Sequence, residues 1–106
     1  MLLFKKKFLP AIRAGVKTQT IRLWSCRRMR PGQRSYIPGA GHIHVLAVEA
    51  IRLEDLDDAD ARPDGFDSAA ALQNELRTLY AEQLEAGWQA YRIRFELVPR
   101  EWRPQR

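Results

Sequence analysis

The sequence predicts one small α+β domain whose short strands curl into a barrel, and three observations carry that expectation. Several brief runs alternate between apolar and polar residues and are cut off by Gly and Pro turns, the pattern of a many-turned β structure. Leu72, Leu76, Leu79 and Tyr80 recur at helical spacing, so one amphipathic helix covers the strands. A chain of 106 residues builds a single core and has no room for two.

The elements follow in order. Leu2-Leu3-Phe4 reads as a short first strand, and Phe8 to Ala14 as a short helix, with Pro10 in its first turn and Gly15 just past its end. Thr18 to Leu23 reads as a strand rich in residues that favour extended backbone. Trp24 to Arg30 is a basic loop closed by the Pro31-Gly32 turn. Arg34 to Ile37 is a short strand. His42 to Leu53 is the longest, with Ile43, Val45, Ala47 and Glu49 alternating with His44, Leu46, Val48 and Ala50. Apolar residues on both of its faces predict a buried strand. The acidic run Glu54 to Asp60 starts a helical turn at the barrel's edge. Asp67 or Ser68 caps the main helix, Ala69 to about Leu84, which Gly87 ends. Trp88 to Val98 is the last strand, with Tyr91, Ile93 and Phe95 opposed to Arg92, Arg94 and Glu96.

Composition narrows the function. No apolar run approaches the roughly 20 residues of a membrane span, and Met1 to Phe4 is too short for a secretory signal before Lys5-Lys6-Lys7. The one cysteine, Cys26, excludes an internal disulfide and fits a reducing, cytoplasmic setting. With only Cys26, His42 and His44 available, a metal centre is not expected, and the His-x-His pair reads as strand alternation. The net charge is +5, yet every charged residue before Glu49 is basic. Such polarity predicts one face drawn to phosphate, with Lys5, Lys6, Lys7, Arg27 and Arg28 beside Trp24 as RNA-contacting residues.

The densest cluster of chemistry is Gly15-Val16-Lys17-Thr18-Gln19-Thr20-Ile21-Arg22. On a strand, Thr18, Thr20 and Arg22 share one face and Gln19, Ile21 and Leu23 the other. Ile21 and Leu23 suit a core, so the hydroxyl–guanidinium face looks toward a cleft or solvent. Lys17 and Thr20 are an odd number apart, so they serve one site only if Lys17 sits in a turn before the strand.

The pattern Gly15-x-Lys17-x-x-Thr20-x-Arg22 resembles the signature of the ASCH domain, a PUA-like β-barrel family. The Arg30-Pro31-Gly32-Gln33 turn, the Asp64-Gly65-Phe66-Asp67-Ser68 stretch and the closing strand through Tyr91 to Phe95 follow in the family's order. The resemblance implies a small PUA-like mixed barrel of five to six strands with one long and one or two short helices. It would span residues 1–98 and leave 99–106 as a polar tail. It further implies a ligand that is RNA or a modified nucleoside, with no cofactor and no membrane. Oligomeric state stays open between a monomer and a weak dimer.

Some small bacterial members of that family hydrolyse the acetyl group from N4-acetylcytidine with a lysine, a threonine and a carboxylate. Carried onto this chain, these are Lys17, Thr20 and Asp64, with Asp67 the next choice; the family has glutamate there, one methylene longer. A threonine hydroxyl attacks an amide only when a base takes its proton, and a neutral Lys17 could be that base. Arg22, or backbone N–H groups of the Gly15 turn, would then stabilise the oxyanion. Two rivals use the same residues. In one, Lys17 and Arg22 stay charged and grip a phosphate, Thr18 and Thr20 bond a sugar or base, and Trp24 or Tyr36 stacks on a base. The other is a ribonuclease, with His42 or His44 as its base.

Overall fold

The computed structural model describes residues 1–99. The expected polar tail, with Trp102, lies almost wholly outside them.

Four strands form one antiparallel sheet in the order β1-β4-β3-β2: β1 (Gln19–Trp24), β2 (Arg34–Ile37), β3 (Gly41–Ile51) and β4 (Gln89–Leu97). The sheet curls into a half-barrel, as the α+β class predicts, with four strands among the described residues and every pairing antiparallel. The fifth expected strand, Leu2 to Phe4, makes no ladder. Leu2 N donates to Tyr36 O at 2.9 Å, while Leu3 O is taken by the Arg22 side chain.

β3 holds the centre of the sheet. A bulge between Val45 and Ala47 shifts its parity. Ile43 and Val45 are buried, exposed Leu46 absorbs the extra residue, and Val48 continues the inner row in place of the expected Ala47.

Two cores meet at β1 and β4. The first joins Ile12, Ile37, Ile43, Val45, Ile93 and Phe95, with Trp24 and Tyr91 packed against it. The second joins Ile21, Leu23, Leu53, Leu56, Leu72, Leu76 and Ala90 beneath the helices. Both faces of β1 are therefore covered, and its outer edge lies at the seam where a cleft can open.

The helices are α1 (Leu9–Arg13), α2 (Asp58–Ala61), α3 (Ala69–Leu79) and α4 (Ala81–Glu85). Asp57 and Asp60 close a capping box on α2, and the Ser68 hydroxyl accepts from Ala71 N at 3.1 Å to cap α3. The single helix expected from 69 to 84 is interrupted at Tyr80, whose φ of −115° and ψ of 28° leave the helical region. The interruption leaves Leu79 half exposed instead of within the buried stripe, and it sets Tyr80 beside β1. Among the described residues no helix is long and apolar enough to cross a membrane.

Candidate functional site

The cleft lies along the outer edge of β1, between the N-terminal segment, the 61–66 turn and α3. Its empty space, open solvent at the mouth included, is about 520 Å³. Phe4, Phe8, Phe66 and Tyr80 supply aromatic walls, and Lys17, Thr20, Arg22 and Asp64 supply the polar groups.

Lys17 enters the site because of the turn before β1. Ala14 caps α1, Gly15 takes a φ of +76° open to glycine, and both Val16 N and Lys17 N donate to Ala11 O. The strand proper begins at Gln19, so Lys17 is free of strand parity and turns inward to line the same cleft as Thr20, as the spacing required. Thr18 is also off the strand. It borders grooves formed with Phe95 and Glu96, and so does not join Thr20 and Arg22.

Asp64 arrives from the opposite side. Thr18 N and Gln19 N both donate to Pro63 O, at 2.7 and 3.1 Å, which docks the 61–66 turn onto the edge of β1. Gly65 reverses the chain with a φ of +89° and lets Phe66 pack against Phe8, ring centroids 5.8 Å apart. Asp67 is exposed and outside the cleft, so Asp64 is the carboxylate brought to the lysine.

Lys17 Nζ donates to Asp64 Oδ1 at 2.8 Å and also to the Asp64 carbonyl oxygen. The two residues are 2% and 3% exposed. Burial pushes the Lys17 ammonium down from its ordinary pKa, against the upward pull of Asp64, and the Arg22 charge adds to the lowering. Burial likewise pushes the Asp64 carboxyl up, against the contrary pull of Lys17, Gln19 and Arg22. Both displacements bring the pair toward sharing one proton. The phenyl rings of Phe8 and Phe4 lie 4.9 and 5.6 Å from Lys17 Nζ.

Arg22 is held from three directions. Its Nε donates to Thr20 Oγ1 at 3.0 Å, its Nη2 donates to Leu3 O at 2.7 Å, and its guanidinium lies 4.7 Å from the Phe4 ring centre. Burial lowers its pKa while the Tyr80 hydroxyl and Asp64 raise it, and a guanidinium keeps its charge in such surroundings. With its oxygen accepting from Arg22, the Thr20 hydroxyl has its own proton free to donate elsewhere.

Gln19 is the residue that motif reading passed over. It is 1% exposed, and its Nε2 donates to Asp64 Oδ2 and to Asp60 O, each at 3.2 Å. Asp60 is gripped in turn by Arg92, Nη1 to Oδ1 at 2.5 Å, with Arg92 Nη2 on Glu49 at 3.1 Å. The signal was present: an amide on the core-facing side of a strand demands a buried partner. Gln19→Leu should leave both acceptors unpaired and cost about 1–3 kcal/mol, read by urea unfolding. It should also raise the Asp64 pKa further, read by NMR titration of the carboxyl.

The remaining predicted residues fall elsewhere. Trp24 packs on Tyr91 at 5.3 Å between ring centroids, Arg27 Nη2 donates to Val48 O, and neither borders the cleft. Arg28 and Lys6 are exposed away from it. Lys5 lines the cleft mouth, and Lys7 meets it through Glu75. His42 stands edge-on to Tyr36, 4.9 Å between ring centroids, on the β2–β3 side.

No family model matches the sequence, and no curated protein matches it. Solved structures do. Hypothetical protein PH0355 superposes with a TM-score of 0.75 at 20% identity, over 91% of this chain and 95% of that one. EF3133 from Enterococcus faecalis V583 gives 0.71 at 16% identity, over 87% and 67% of the two chains. The ASCH domain from Lactobacillus crispatus JV V101 gives 0.69 at 16% identity, over 83% and 68%. Lys17, Thr20 and Arg22 gather along one cleft, and the chain that carries them has the fold seen in that ASCH domain.

Proposed function

We propose that the protein is an amidohydrolase that removes the acyl group from an N4-acylated cytidine. The observation that carries this reading is the buried Lys17–Asp64 pair, opening on the same cleft as a threonine hydroxyl bonded by a guanidinium. A charged pair removed from water is costly, and at a cleft such displaced pKa values mark groups poised for proton transfer. The aromatic walls fit a flat pyrimidine.

In this mechanism neutral Lys17 accepts the Thr20 proton as Oγ1 bonds the acyl carbon, and the carbonyl electron pair moves onto oxygen. Arg22 stabilises that oxyanion. Collapse breaks the carbon–N4 bond, and Lys17 returns its proton to N4, freeing cytidine. Water then attacks the acyl-threonine ester by the same relay, releasing the acid and restoring the hydroxyl. Asp64 fixes the Lys17 nitrogen through Oδ1, and Gln19 holds the other carboxylate oxygen.

Purified protein incubated with N4-acetylcytidine should release cytidine and acetate in equal amounts, scored by chromatography. No release from protein that melts cooperatively would overturn the hydrolase and leave RNA binding as the role of the cleft.

A further inference from the structure

We propose that Lys5 and Lys7, which converge on Glu75, form a phosphate clasp at the cleft mouth, so that the substrate is a phosphate ester of the modified nucleoside and not the bare nucleoside. The inference rests on the hydrolase reading and adds the substrate class.

The geometry is a convergence. Lys5 Nζ and Lys7 Nζ lie 3.7 and 3.6 Å from one atom, Glu75 Oε1. Lys5 and Glu75 both line the cleft. Two ammonium groups meeting one carboxylate leave a positive charge unmatched beside the opening. The Glu75 oxygen marks a point that both lysines reach at once, and an anionic oxygen of a ligand fits there.

The present occupant is loosely held. Both contacts are longer than a charge-assisted hydrogen bond of about 2.7–2.9 Å. The lysine side chains are 57% and 59% exposed, so the pairs are solvated and weak. A phosphate offers more oxygens and more charge than one carboxylate, and it displaces Glu75 at little cost. Lys7 Nζ also rests 5.0 Å from the Phe8 ring centre, and Phe8 forms part of the wall beside Lys17. A base among the aromatic rings would leave its sugar phosphate toward this rim.

The test compares kcat/KM for N4-acetylcytidine, its 5′-monophosphate and a short oligoribonucleotide bearing the same base. At low salt the monophosphate should exceed the nucleoside by about fivefold or more, and the ratio should shrink as salt screens the rim. Lys5→Ala/Lys7→Ala should collapse that ratio toward one, and Glu75→Gln should enlarge it. A further gain with the oligonucleotide assigns the clasp to a phosphodiester; none assigns it to a mononucleotide. Equal kcat/KM for nucleoside and monophosphate in the unaltered protein overturns the clasp while leaving the hydrolase intact. If no substrate is cleaved, the hydrolase fails. The clasp is then read from ³¹P NMR titration of cytidine 5′-monophosphate, where a shift insensitive to Lys5→Ala/Lys7→Ala, or no shift, overturns it.

Discussion

Lys17→Met should abolish cytidine release, lowering kcat/KM by about 10²–10⁴-fold or more, the span that a positioned base contributes. Methionine keeps the length and apolar stem of lysine, so loss of activity in a cooperatively melting variant isolates the amine. Lys17→Arg is the sharper control, because it keeps a positive charge near Asp64 but cannot give up a proton at working pH. A residue that only gripped a phosphate would tolerate arginine; a base would not. The pH profile carries the same distinction. Burial holds the Lys17 ammonium below its ordinary value, so kcat/KM should climb with pH through an inflection below the usual lysine range. Asp64 pulls that pKa upward. Asp64→Asn therefore removes the pull, and the inflection should move to lower pH even as the maximal rate drops. An inflection that stays fixed, or moves up, would contradict Lys17 as the titrating base.

Much of this site was legible because its residues obey local rules. A glycine after a helix signals a left-handed turn, and the odd spacing from Lys17 to Thr20 demanded that the lysine precede the strand; β1 does begin at Gln19. Thr20 and Arg22 share a face by parity alone, and they are joined at 3.0 Å. What stayed hidden depended on tertiary placement. The polarity of the first 34 residues is real, but charge along a chain carries no direction in space, and Trp24 with Arg27 went to Tyr91 and the back of β3. The break at Tyr80 has neither glycine nor proline to announce it, since alanine and leucine on either side favour helix. The bulge at Leu46 is equally silent, because an extra residue shows only when a strand is matched to its neighbour. Phe66 lies far from Phe4 and Phe8 in the sequence, and nothing local marks the three as a group, yet they line the cleft that encloses the lysine.

Separating the buried pair should produce the largest change in stability. Asp64→Ala leaves the Lys17 ammonium without its anion at 2% exposure and should cost about 3–5 kcal/mol. For a chain near 100 residues that lowers the melting temperature by roughly 15–30 °C. Lys17→Met/Asp64→Leu together should recover most of the loss, because two apolar side chains owe nothing to water and pack against Phe4 and Phe8. The pH dependence supplies an internal check. In Asp64→Ala the lysine loses the partner that raised its pKa, so its folded value falls further below the unfolded one. The unfolded chain then binds more protons across that window, and stability should rise with pH until the unfolded lysine also deprotonates. The deficit of Asp64→Ala against the unaltered protein should accordingly narrow from neutral toward alkaline pH, whereas the double variant should show no such slope. A double variant no more stable than Asp64→Ala would mean that the pair supports the fold. Recovery of stability with loss of turnover would mean that the fold carries the pair for its chemistry.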